Sequence, residues 1–244
     1  MLPKIKSEPG HDPVRSAVRR PAKPDHRVRN GAVRREQTRR RIMIAALKVF
    51  GDKGPDAASI DDFVDEAGIS RGTFYNHFRT TQQLLDAVSA ELSDGVMEVI
   101  DAMVLTYDDP IERMAAGCLS YMRLAIEHRA WGKFILRIGL QGQAGGELIN
   151  IYLPRDLELA RHLGLAKFPD LQTAHDLVMG TTVRSIQTVI LGNADPDHIR
   201  KTLELVFIGL SVDPATARRL CQMPMPELSL SGTSDFSLFI RDMD

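Results

Sequence analysis

Apolar residues recur three and four positions apart through most of this chain, the spacing that buries one face of an α-helix. From Arg35 onward, Ile42, Ala45, Ala46, Val49 and Phe50 share one face, and Lys53-Gly54-Pro55 ends the segment. Ser59 then opens a short helix bearing Ile60, Phe63, Val64 and Ala67, with Asp62 three residues after Ser59 in a weak capping box. Gly68 stops it, Ile69 is an apolar plug, and Ser70 caps a third helix whose inner side is Phe74 and Phe78. A second cap, Thr80 with Gln83, begins a long fourth helix through Leu84, Leu85, Val88, Leu92, Val99 and Met103. Three Asp-Pro pairs, at residues 109–110, 195–196 and 213–214, each predict a further helix start, because proline fits the first helical position. Trp131, Phe134, Ile135 and Ile138 mark a short aromatic helix, 139–146 is a Gly- and Gln-rich loop, and 148–163 reads as helix with a kink or break at Pro154. Asp170 caps a long helix to Leu191, and Ile199, Leu203, Val206, Phe207 and Leu210 stripe the next. The pattern predicts an all-α protein: an N-terminal three-helix unit holding a helix-turn-helix, then a larger helical domain.

The outward side of the third helix carries Arg71, Thr73, Tyr75, Asn76 and His77, with no acidic residue from Ser70 to Thr81. Such a helix could be the polar surface of a bundle, but bundle surfaces usually mix both signs of charge. Arginine bonds guanine and asparagine bonds adenine through paired hydrogen bonds, whereas Thr, Tyr and His suit phosphate oxygens. Gly72 leaves room where backbone would meet a duplex, Arg79 is the next cation, and the Ser59 hydroxyl either caps its helix or faces a phosphate.

Charge sharpens this reading. The chain of 244 residues has a formal net charge of -1, yet residues 1–41 hold 13 Lys and Arg against 4 Asp and Glu, and the other 203 hold 18 against 28. A basic end on an acidic body favours a polyanion at that end. Residues 1–34 contain five prolines and no apolar periodicity. They read as a disordered basic arm, either a solvated tail or a source of phosphate and minor-groove contacts. Two cysteines, Cys118 and Cys221, make no disulfide framework, and no apolar run is long enough to span a bilayer, so the expected location is cytoplasmic. A nucleophile elbow, a zinc-binding His-Glu-x-x-His, a Cys-x-x-Cys and a dinucleotide glycine fingerprint are all missing. Neither catalysis nor a cofactor or metal is expected.

The run from Gly68 to Phe78 matches the pattern Gly-(Val/Ile)-Ser-x-x-(Thr/Leu)-(Phe/Leu)-Tyr-x-His-Phe, and residues 38–85 resemble the DNA-binding domain of the TetR family of bacterial repressors. Thr81 stands where many members carry a lysine, and Pro55 where many carry an aromatic. The resemblance implies a DNA-binding domain at 35–80 and a ligand-binding and dimerisation domain at 81–222, between the basic arm at 1–34 and a stretch at 223–244 whose Pro, Ser, Gly and Asp content reads as a loose tail. It also implies a homodimer through the two long C-terminal helices, which could otherwise pack within one protomer. It further implies an apolar pocket for a small-molecule inducer. Candidate pocket residues are Met97, Met114, Tyr121, Met122, Trp131, Phe134 and Arg137; packing in the core is the alternative role for each. Candidate DNA contacts are Ser59, Arg71, Gly72, Thr73, Tyr75, Asn76, His77 and Arg79. The implied function is a transcriptional regulator released from its operator by ligand, the alternative being an architectural DNA-coating protein with no ligand response.

Overall fold

A computed structural model describes residues 26–139, 148–224 and 228. The chain divides into two units, Met1–Glu36 and Gln37–Asp244. Within the first, the described residues are helical and belong to α1 (His26–Lys53), which continues into the second. The helix therefore starts nine residues before the expected Arg35. The last proline of the N-terminal stretch is Pro24, so none interrupts the segment after it, where Arg27, Arg29, Ala32 and Arg34 are good helix formers. Residues 1–25 of the expected arm, the loop at 140–147 and most of the tail at 223–244 lie outside the described residues.

In the second unit, α1 is followed by α2 (Ile60–Ala67), α3 (Arg71–Tyr75) and α4 (Thr81–Val88). The fourth helix runs on through a π-helical turn, Ser89–Asp94, into α5 (Gly95–Val104). Then come α6 (Pro110–Glu127), α7 (Arg129–Gly139), α8 (Ile149–His162), α9 (Leu171–Ile190), α10 (His198–Gly209) and α11 (Pro214–Cys221). All the described regular structure is helical. Local hydrogen bonds set most starts: Ser59, Ser70, Thr80, Asp109, Asp170 and Asp213 each accept a backbone N–H two or three residues on. The pair at 195–196 behaves differently. The Asp195 carbonyl accepts from His198 in a preceding turn, and α10 begins at His198. Helix α8 passes through Pro154, whose missing N–H removes one bond near the first turn.

The helix-turn-helix and the following helices share one continuous core. Helix α6 is its centre, packing on α5, α7, α8, α9, α10 and α11, which is why it is buried on nearly every side. Its corner with α7 depends on Gly132. A Cβ there would stand 2.1 Å from the Ala125 carbonyl oxygen and 2.6 Å from Ile190 Cδ1.

Candidate nucleic-acid interface and buried cavity

The turn between α2 and α3 is built by hydrogen bonds that few sequences permit. Gly68 adopts φ 59°, its N–H donates to the Asp65 carbonyl, and the Ile69 N–H donates to the Val64 carbonyl at 3.1 Å, closing a Schellman motif. From α1, Arg41 donates to the carbonyls of Ala67 (2.5 Å) and Gly68 (3.1 Å), satisfying orphan acceptors at the end of α2. Behind the turn the rings of Phe50, Phe63, Phe74 and Phe78 pack in sequence, with centroids 4.9, 6.2 and 6.2 Å apart. That apolar backing fixes α3 and turns its other side outward.

On that outer side Arg71, Gly72, Tyr75, Asn76 and Arg79 are exposed, and Thr73 and His77 are half-buried. Tyr75 is 53 % exposed although aromatic, and meets Phe74 only edge-on. The Thr73 hydroxyl pairs with that of Ser70 at 2.9 Å. Ser59 is engaged as a cap: its hydroxyl accepts from the Asp62 N–H and the Asp62 carboxylate accepts from the Ser59 N–H. Hydrogen bonds from Lys53 (2.6 Å) and then Ser59 hold the Asp62 carboxyl well below its ordinary range, at about 2. Gly72 has open space within the protein, since an added Cβ would meet nothing closer than Ser70 Oγ at 3.8 Å. Arg71 is held by Asp61, a residue outside the candidate set, in a two-point ion pair of 2.7 and 2.5 Å.

Further along the chain, α5, α6, α8 and α9 enclose a cavity of about 60 Å³. Of the candidate pocket residues, Met97, Met114 and Tyr121 line it. Met122, Trp131 and Phe134 are buried in the core outside its wall. Trp131 meets Tyr121 edge-on at 5.1 Å, and Phe134 lies 6.3 Å from Phe50 of α1. Arg137 is on the surface, donating to the backbone carbonyls of Gly51 and Asp52 at the end of α1, beside a 2.7 Å ion pair between Lys133 and Asp52. These residues join α7 to α1.

The cavity is apolar except at one end, where Asp101, Asp156 and Arg113 stand. Arg155 bridges both acids, at 2.8 Å to Asp101 and 2.9 Å to Asp156, and Arg113 Nη1 is 3.6 Å from Asp156. Two carboxylates facing two guanidiniums leave that end without net charge. The Asp156 and then Asp101 hydrogen bonds raise the Arg155 pKa further, so its guanidinium stays charged. Burial pushes the Cys118 thiol up to about 12 and the Tyr121 phenol up as well, so both wall groups stay neutral. Sequence reasoning missed the two acids, although the signal was there. Asp101 falls four residues after Met97 and Asp156 three after Leu153, on otherwise apolar helical stripes.

Residues 42–88 match the family model of the bacterial regulatory proteins of the tetR family. The chain is 31 % identical over 104 residues to the transcriptional activator FasR of Mycolicibacterium smegmatis, covering 43 % of this chain and 47 % of FasR. Over 88 residues it is 29 % identical to the transcriptional repressor KstR2 of the same species, covering 36 % and 42 %. The match thus spans less than half the length of either curated relative. Among solved structures it resembles RolR in complex with resorcinol, at 29 % identity and a TM-score of 0.63, over 81 % of this chain and all of that one. No helix among the described residues is long and apolar enough to cross a membrane. With an all-helical fold, a helix-turn-helix that shows a polar face to solvent, and these likenesses, residues 42–88 form a DNA-binding domain of the TetR family of bacterial regulatory proteins.

Proposed function

We propose that this protein is a dimeric repressor whose hold on its operator is released by a small uncharged molecule bound among α5, α6, α8 and α9. The cavity there carries the reading, because an architectural DNA-coating protein has no use for an apolar, charge-balanced site. On the DNA side, Arg71 and Asn76 read base edges, and Thr73, Tyr75, His77, Arg79 and Ser59 position the backbone. The basic residues of the N-terminal stretch add phosphate contacts. A second copy covers the exposed Leu177 of α9 and Leu205 and Ile208 of α10, apolar side chains that otherwise face water on neighbouring helices. Free cysteines suit a reducing cytoplasm.

The chemistry of the cavity limits the ligand. A charged molecule would upset the balance of Asp101, Asp156, Arg113 and Arg155, whereas a hydroxyl group can donate to either carboxylate. RolR was solved with resorcinol, an aromatic diol of that kind. Binding sites for such molecules usually measure at least about 300 Å³, so an occupant must displace Met97, Met114 and Met179, whose flexible side chains allow it. Displacement bears on α6, and through Tyr121 and Trp131 on α7. From α7 the packed rings of Phe134, Phe50, Phe63 and Phe74 lead to α3. Ligand then favours a state in which the two recognition helices no longer match half-sites roughly 34 to 36 Å apart.

The test is to isolate the promoter fragment that purified protein retains, then titrate resorcinol and related neutral phenols while following fluorescence anisotropy. Release at saturating ligand is expected. Stable DNA binding that no small molecule alters would return the protein to the architectural class.

A further inference from the structure

We infer that Asp61 is a positioning residue for base recognition: it holds the Arg71 guanidinium by one edge so that the adjacent outer edge is presented, already oriented, to a guanine. The inference rests on Arg71 reading a base, as proposed above. Arg71 Nε donates to Asp61 Oδ1 at 2.7 Å and Nη2 donates to Asp61 Oδ2 at 2.5 Å. A guanidinium has five N–H donors in a planar fork. The pair with Asp61 uses the Nε–Nη2 side, and the outer Nη1–Nη2 edge keeps its two parallel donors. That outer edge is the one that spans O6 and N7 of guanine in the major groove.

The pair is hard to account for as a device for stability. The Arg71 and Asp61 side chains are 68 % and 54 % exposed, and exposed ion pairs add little. Nor is Asp61 needed to start α2, since Ser59 and Asp62 already form the capping box. An acid on the same open surface as the recognition helix repels a polyanion, as does Asp65 one turn further on, which also acts on Arg71. What the acid supplies is direction. A free arginine samples many rotamers and finds phosphates on any sequence, but one gripped along its Nε side has lost that freedom before DNA arrives. Asp61 thus lowers general affinity and sharpens preference for guanine at one position in each half-site.

The inference is tested without knowing the operator, by selecting from a random-sequence duplex library with the full chain as wild type, Asp61→Asn and Arg71→Ala, and sequencing what each retains. Both side chains are exposed, so thermal midpoints should match wild type. In Arg71→Ala one position per half-site should lose its guanine preference, by about fivefold to about 150-fold. Asp61→Asn should flatten that same position while binding bulk random duplex as tightly as wild type or more so. If Arg71→Ala leaves every position unchanged, the base-reading role of Arg71 fails and the inference with it. Where Arg71→Ala shows the loss but Asp61→Asn keeps wild-type preference, or weakens all sequences equally, only the positioning role is overturned.

Discussion

Gly72, under the proposed DNA contact, is a residue constrained by something outside the protein. An alanine there would find open space, and glycine within a helix costs about 0.5–1 kcal/mol relative to alanine. Gly72→Ala is therefore expected to leave the thermal midpoint unchanged or raise it, while weakening duplex binding because the added methyl points where DNA backbone approaches. Parallel melting curves and anisotropy titrations check both halves. Asp62 makes a different prediction at the same scale. Its folded pKa of about 2 lies below the ordinary 3.8, so its contribution to stability is complete above about pH 4 and is lost as pH falls through about 2. Urea midpoints measured between pH 4 and pH 2 should fall less in Asp62→Asn than in wild type, because the variant has no carboxylate to protonate.

At the scale of elements, the joint between α7 and α1 is one physical contact through which the cavity and the helix-turn-helix can influence each other. It consists of a Lys133–Asp52 ion pair, Arg137 on the Gly51 and Asp52 carbonyls, and the packing of Phe134 near Phe50. The polar half is exposed and contributes little to folding. Coupling between two sites in allosteric proteins is typically about 1–3 kcal/mol. Replacing Lys133 and Arg137 together by alanine should thus preserve ligand binding and ligand-free DNA affinity within a few-fold. It should remove on the order of 1 kcal/mol from the effect of ligand on DNA affinity. Calorimetry for the ligand and anisotropy with and without it separate the two quantities. Unchanged release would place the coupling elsewhere, the continuous run of α4, the π-helical turn and α5 being the next contact to test.

For the whole molecule the proposed dimer sets the question of how two recognition helices come to act together. Leu205 is 67 % exposed on α10, with Ile208 one turn away and Leu177 on neighbouring α9. Leu205→Glu, placed on that apolar surface, is expected to yield monomers in sedimentation velocity. The same variant should bind its operator at least about 100-fold more weakly, because linked binding of two half-sites multiplies affinity by roughly 10² to 10⁴. Because Leu205 is exposed the substitution should leave the fold intact, which an unchanged circular dichroism spectrum checks. A dimeric Leu205→Glu variant would move the interface to another surface.

Sequence alone determined the features that depend on neighbours a few residues away. Ser59, Ser70, Thr80, Asp109, Asp170 and Asp213 cap helices through bonds that close within two or three residues, and Gly68 ends α2 because its left-handed conformation suits glycine. The helix-turn-helix and its outward polar face were legible for that reason, while the start of α1 was not, since helix propagation toward Pro24 is stopped by no local signal. Tertiary structure decided everything that requires distant side chains to meet. Asp61 and Arg71 are ten residues apart and pair only because the turn at Gly68 folds α3 back beside α2. Trp131, Phe134 and Arg137 have the composition of a binding site, yet the angle at Gly132 turns them toward α6 and α1. Asp101, Arg113 and Asp156 come from three different helices, and only the packing of α5, α6 and α8 gathers them at one end of a cavity. A helical stripe records which side of a segment is buried, but the partner it is buried against is set by how the helices pack in space.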